Sequence, residues 1–138
     1  MRTPRDRRPV LIHPLAWVVE PLEPEPTLLV RPMFGGKAVY VRGRFVLFLI
    51  SKEEPWRGVL VPTEREHQPS LIRDFPLLSP HTVLPKWLYL PEAAASFERD
   101  TAELVRRIRS ADPRIGIEPG VRRKRTAKSP RKRATKQD

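Results

Sequence analysis

The stretch that decides the fold reads Arg31-Pro32-Met33-Phe34-Gly35-Gly36-Lys37-Ala38-Val39-Tyr40-Val41-Arg42-Gly43-Arg44-Phe45-Val46-Leu47-Phe48-Leu49-Ile50. Phe45 to Ile50 is apolar at every position, as suits a strand buried on both faces. Gly43, between Arg42 and Arg44, supplies a tight turn because glycine adopts positive φ without strain. Gly35-Gly36 makes the turn before it. Three antiparallel strands are expected, over about residues 27–33, 37–42 and 44–51.

The prolines limit what can lie on either side. There are 17 in 138 residues, about twice the average usage. Proline breaks helix interiors and central strands, so regular structure belongs in the windows that lack it. Residues 33–54 form one such window and residues 92–112 another. The second predicts a helix over about 92–110, with Phe97, Leu104, Val105 and Ile108 on one face. Glu103 stands four residues from both Arg99 and Arg107, and Arg106, Arg107 and Arg109 gather late, matching the helix dipole. That makes those arginines partners on a solvated face rather than a binding patch. A fourth strand, Trp56 to Val61, follows the polar turn Lys52-Glu53-Glu54-Pro55. Ser70 to Phe75 suggests a short helix, and Lys86 to Leu90 a fifth strand. Segment 10–20 reads as a helix or an irregular apolar arm on the sheet. The order α-βββ-β-α-β-α predicts a two-layer α+β domain, with an antiparallel five-stranded sheet and a helical layer.

The formal net charge of +11 sits at the ends. Residues 1–8 carry Arg2, Arg5, Arg7 and Arg8 against Asp6. Residues 120–138 carry Arg122, Arg123, Lys124, Arg125, Lys128, Arg131, Lys132, Arg133 and Lys136 against Asp138. The 14 basic and 14 acidic residues of 9–119 cancel. The division expected is a basic N-terminal segment (1–8), the α+β domain (9–118) and a disordered basic tail (119–138), since the tail has too few apolar side chains to offset the entropy of ordering. No apolar run approaches the 18 to 20 or so residues that a spanning helix needs, so no membrane partner is expected. The apolar stretch after the first arginines is broken by His13 and Pro14, then followed by Glu20 to Pro26 with no small-residue cleavage site. This argues for a cytoplasmic protein. The absence of cysteine excludes disulfides, thiolate metal sites and a cysteine nucleophile.

Arg31-Pro32-Met33-Phe34-Gly35-Gly36, followed by Val39-Tyr40 and Gly43, resembles the signature of the TfoX/Sxy N-terminal domain family. Its members open their sheet with a similar Met-Phe-Gly-Gly turn, an aromatic-containing strand and a glycine hairpin. Pro85 to Pro91, a helix, and Asp112-Pro113-Arg114-Ile115-Gly116 look like a small uncharacterised bacterial branch. The resemblance covers about residues 27–116 and implies a two-layer α+β fold and an association with bacterial competence regulation. It implies no catalytic activity, and Met33, Phe34, Gly35, Gly36 and Gly43 carry it as structural motif positions. The chain departs at Arg42, where the family usually has Asp or Asn, and it lacks the second, helical domain of the full-length regulators.

No constellation in the sequence points to catalysis, a cofactor or a metal. Gly35-Gly36-Lys37 is followed by Ala38 and lacks the spacing of a phosphate-binding loop. His13, His67 and His81 have no ligand-type spacing, and Glu64, Glu66 and His67 read as a solvated turn. Met33 and Phe34 read as core packing at a strand end. Trp17, Trp56 and Trp87 are too spread in sequence to form an evident base-stacking platform. Two functions from different classes remain. One is a non-enzymatic regulatory or adaptor domain that binds a protein partner. The alternative is a nucleic-acid-associated protein whose tail binds DNA or RNA non-specifically through its nine cations.

Overall fold

The computed structural model describes residues 12–119. Six strands run β1 (Leu29–Met33), β2 (Gly36–Val41), β3 (Arg44–Ser51), β4 (Arg57–Pro62), β5 (Ser79–Pro80) and β6 (Trp87–Pro91). Two α-helices join them, α1 (Gln68–Asp74) and α2 (Phe97–Arg109), with 3-10 segments at Ala16–Leu22 and Arg65–His67. All strands pair antiparallel, in the order β1-β2-β3-β4-β6-β5. The mixed α+β architecture expected from the order of elements is present. The sheet, however, has six strands where five were expected. The extra one is the two-residue β5, which pairs Ser79 with Tyr89 and Pro80 with Leu88. A strand that short has no periodicity to read.

β3 lies inside the sheet, between β2 and β4, which explains its unbroken apolar run. Its pairing with β2 slips between Val39 and Tyr40, so Leu47 faces Val39, Phe45 faces Tyr40, and Val46 is the extra residue of a bulge. Val46, Leu47 and Leu49 therefore join one core while Phe45, Phe48 and Ile50 join another. The first core lies under the helical layer and takes Val18, Val19 and Leu22 from the 3-10 segment, Leu71 from α1, and Leu104, Val105 and Ile108 from α2. Trp17 packs edge-on against Phe97, at 5.9 Å between ring centroids, and so fixes the 3-10 segment on α2. The second core, on the opposite sheet face, is aromatic.

The final helix starts at Phe97, five residues later than its sequence suggests. Ala93, Ala94 and Ala95 favour helix, but their neighbours are committed elsewhere. The Glu92 amide donates to the Arg57 carbonyl, continuing the sheet, and the Ala94 amide donates to Pro91. Tertiary bonding overrides propensity here. Of the helix or irregular arm expected over 10–20, the described residues form a 3-10 segment at Ala16–Leu22 that contains Pro21.

Proline occupies both outer strands, Pro32 in β1 and Pro80 in β5. Met33 and Gly36 flank a two-residue turn and make its closing pair, so the next pair, Pro32 with Lys37, is of the wide kind whose amides face outward. Pro32 thus removes a donor from the open edge without breaking the ladder.

Candidate functional site

Two hairpins of the same geometry flank β2. In the first, Phe34 (φ 49°) and Gly35 (φ 79°) turn the chain. In the second, Arg42 (φ 53°) and Gly43 (φ 78°) do so. Positive φ at both central positions is the type I′ pattern, whose first position favours Asn, Asp or Gly. A phenylalanine and an arginine there are both strained.

The strain at Arg42 has an internal explanation. Its guanidinium reaches the C-terminus of α2 and donates to the Ile108 carbonyl at 2.5 Å. It also pairs with Glu25 at 3.1 Å, and its amide donates to the Thr27 hydroxyl. The last carbonyls of a helix lack intrahelical partners and carry partial negative charge, so a cation here acts as a cap. Beside it, Arg44 donates to the Gly116 carbonyl at 2.7 Å, and Phe45 and Ile117 exchange backbone hydrogen bonds. An arginine at this strained turn position thus has a structural use. Arg42→Ala should cost about 1–2 kcal/mol, from a charge-assisted bond and a helix-end charge. Arg42→Gly should cost less, because it relieves the positive φ. Urea denaturation of the two variants checks the order.

Phe34 has no such use. Its side chain is 80% exposed, which corrects the expectation that it packs into the core; only Met33 does so, against the aromatic cluster. Behind it, Lys52 lies across Gly35, so close that a Cβ there would sit 2.3 Å from Nζ. A Cβ on Gly36 would sit 2.3 Å from the Leu49 carbonyl and 2.9 Å from the Phe48 ring. The turn is packed against β3 at Gly36, with a phenyl ring projecting from it. Gly43, by contrast, has open space around its α-carbon and is required only for its conformation.

Two of the arginines late in α2, Arg106 and Arg107, are engaged within the fold, as their spacing predicts. Arg107 binds Glu103 at 2.8 Å, four residues earlier, and Asp74 of α1 at 2.9 Å. Arg106 also binds Glu103. Arg114 joins Asp74 at 3.1 Å to Asp112 at 2.8 Å, so one network ties α1, α2 and the segment after it. Hydrogen bonds from Arg107 and Arg114 hold the Asp74 carboxyl below its ordinary range. Arg114 does the same for Asp112, and Arg107 for Glu103. Carboxylates with lowered folded values stabilise the protein above their unfolded pKa, and that contribution disappears as pH falls through the folded values. The thermal midpoint should therefore fall between about pH 5 and pH 3. It should fall less steeply in Asp74→Asn, as a pH series of melting curves would show.

One buried polar group carries no signal in the sequence. His81 is 1% exposed. Its Nδ1 accepts the amides of Val83 and Leu84, both at 3.0 Å, which places the ring proton on Nε2 to donate to the Pro55 carbonyl at 2.7 Å. Tyr89 performs a related task. Its hydroxyl accepts the Arg57 amide at 2.8 Å and lies 2.8 Å from both Glu54 Oε1 and the Arg57 carbonyl. Burial raises its pKa above the usual phenol value. Both residues bind backbone at the β3–β4 turn, and a lone histidine between loops carries no signal of that in sequence.

Among the described residues no group of three or more His, Asp or Glu could hold a metal. His67 pairs with its neighbour Glu66, at 3.8 Å. A cleft between the Arg42 turn and the end of α2, lined by Val41, Arg44, Ile108 and Ile115, holds about 50 Å³. That is room for a few waters, against several hundred Å³ for a typical ligand site. No described helix is long and apolar enough to cross a membrane. The nine tail cations from Arg122 to Lys136 lie outside the described residues, as does the segment 1–8. Trp56 and Trp87, far apart in sequence, pack against the same aromatic cluster, while Trp17 lies in the helical layer against Phe97. No protein-family model, curated protein or solved structure matches the chain.

Proposed function

We propose that this chain is a non-enzymatic regulatory or adaptor domain that binds a protein partner through the Met33–Gly36 turn. Phe34 carries the reading. It is a bulky residue at positive φ, 80% exposed, and no contact found among the described residues accounts for the strain. Strain of this kind persists where surrounding structure enforces it, and it clusters at binding sites. Gly36 supplies that enforcement, since it is packed against the Leu49 carbonyl and the Phe48 ring with no space for a side chain. A rigid exposed aromatic ring is a typical anchor for a partner's apolar pocket, because little side-chain entropy is lost on docking. The resemblance of residues 31–36 to the TfoX/Sxy N-terminal signature supports a regulatory role of this type. So does the cancelling charge of residues 9–119, which leaves recognition to shape and apolar contact.

A benzophenone side chain placed at position 34, in cells that make the protein, tests this. It should crosslink a discrete protein, and unlabelled wild type should compete where Phe34→Ser does not. Phe34→Ser should itself leave stability within about 0.5 kcal/mol, as expected for an exposed site. Leu77, also exposed, is the control position. Equal labelling from positions 34 and 77 refutes the proposal.

A further inference from the structure

The charge of residues 9–119 cancels in sum but not in place. From Pro26 to Lys52 the chain carries Arg31, Lys37, Arg42, Arg44 and Lys52 and no carboxylate. The sheet divides these five. Arg42 and Arg44 stand at the turn between β2 and β3, where Glu25, Glu118 and backbone carbonyls engage them. β1 ends at Met33, β2 begins at Gly36 and β3 ends at Ser51, so the other three gather toward the opposite end, around Phe34.

They surround the ring. Arg31 pairs in register with Ala38, a member of the aromatic cluster, and so takes that face of the sheet. Lys37, one residue before Ala38, takes the other face with Val39. The Lys52 side chain crosses Gly35 in the turn itself. Among the described residues none of these three is in an ion pair, whereas Arg42, Arg107 and Arg114 all are. Two carboxylates farther along this end of the sheet are engaged: Glu54 accepts from Tyr89, and Glu92 lies 3.7 Å from Arg57. Glu53 directly follows Lys52 and, among the described residues, is in no ion pair.

An exposed ring encircled by unpaired cations favours one kind of partner. It must offer apolar contact for the ring and carboxylates around it, so that each cation gains a counter-charge on docking. A lipid surface fits less well, since one ring buries too little apolar area for a stable anchor. We propose that the partner of the Phe34 turn is an acidic protein segment, whose carboxylates pair with Arg31, Lys37 and Lys52 while an apolar side chain packs on the ring. The proposal rests on the reading of Phe34 as an anchor and names what the anchor meets. Charge then selects among apolar partners, and a basic segment is refused.

The test uses the full chain, labelled with nitrogen-15, and a peptide of two glutamates, tryptophan, leucine and two glutamates. A second peptide has glutamine in place of each glutamate. NMR reads each amide separately, so binding at the turn is distinct from binding to the cations after residue 119. The acidic peptide should shift the amides of 33–37 and of Lys52. It should bind there about tenfold more tightly than the glutamine peptide, since each exposed ion pair gives up to about fivefold. Lys37→Gln with Lys52→Gln should reduce that ratio to about two, Glu53→Gln should raise it, and Phe34→Ser should weaken both peptides. Equal affinities at these amides in the unaltered protein, or shifts confined to residues after 119, would overturn the proposal. So would anionic bicelles that shift 33–37 where the acidic peptide does not, which would make the partner a membrane. The Phe34 reading can survive this failure. If benzophenone at position 34 crosslinks its protein as strongly in the Lys37→Gln, Lys52→Gln background as in the unaltered one, the ring docks and the cations play no part.

Discussion

His81→Leu should lower the thermal midpoint by about 15 °C or more. The substitution keeps an apolar body in the site but removes one acceptor and one donor. The amides of Val83 and Leu84 and the carbonyl of Pro55 would each lose a partner around a residue that is 1% exposed. A buried polar group left without a partner costs about 1–3 kcal/mol, so three together cost roughly 3–5 kcal/mol even with some relaxation. A domain of this size loses about 4 °C or more per kcal/mol and has only 5–15 kcal/mol in all. His81→Gln should recover part of the loss, since an amide can both accept and donate. Melting followed by circular dichroism decides the matter, and a midpoint within a few degrees of wild type for the leucine variant would show the three groups satisfied some other way.

Gly36→Ala should be nearly as damaging, for a steric reason. The added methyl would lie 2.3 Å from the Leu49 carbonyl oxygen and 2.9 Å from the Phe48 ring. Phe48 is buried at 2% exposure, and Leu49 belongs to the inner strand β3, so neither gives way easily. Overpacking of a tight site costs about 1–3 kcal/mol and more when backbone must move. Here the obstructing atom is backbone in the middle of the sheet, so a loss of about 3 kcal/mol or more is expected. Alanine at Gly43, with nothing within 4 Å, meets only the conformational penalty and should cost less. Comparing the two in urea separates crowding from φ strain, and equal losses would mean that the Gly36 contacts relax freely.

The central hairpins were legible because two local signals agree there: glycine at each turn and an apolar run between. Arg42-Gly43-Arg44 predicts the tight turn that joins β2 to β3, and residues 44–51 coincide with the strand. The pairing of Glu103 with Arg107 was equally legible, because helix geometry alone brings residues four apart together. Legibility ended where distant segments decide. The start of α2 depends on a bond from Glu92 to Arg57, the strand β5 on its pairing with β6, and the role of His81 on two loops. Of the candidate site, the motif Met33-Phe34-Gly35-Gly36 stood out in sequence, but its phenylalanine reads as core by composition. Only the type I′ geometry turns that side chain outward. The packing of Trp56 and Trp87 against one aromatic cluster could not be read either, since it follows from β6 inserting beside β4 rather than from any spacing.

The prolines at the two rims of the sheet have a consequence for how any partner can attach. With Pro32 in one outer strand and Pro80 in the other, neither rim offers an uninterrupted row of amides. A foreign strand cannot extend this sheet by annealing to its border, and neither can a second copy of the chain. The domain is thereby protected from self-templated growth into fibres. Recognition must instead proceed through side chains, at a turn or across a face, so replacing single side chains should abolish it one contact at a time.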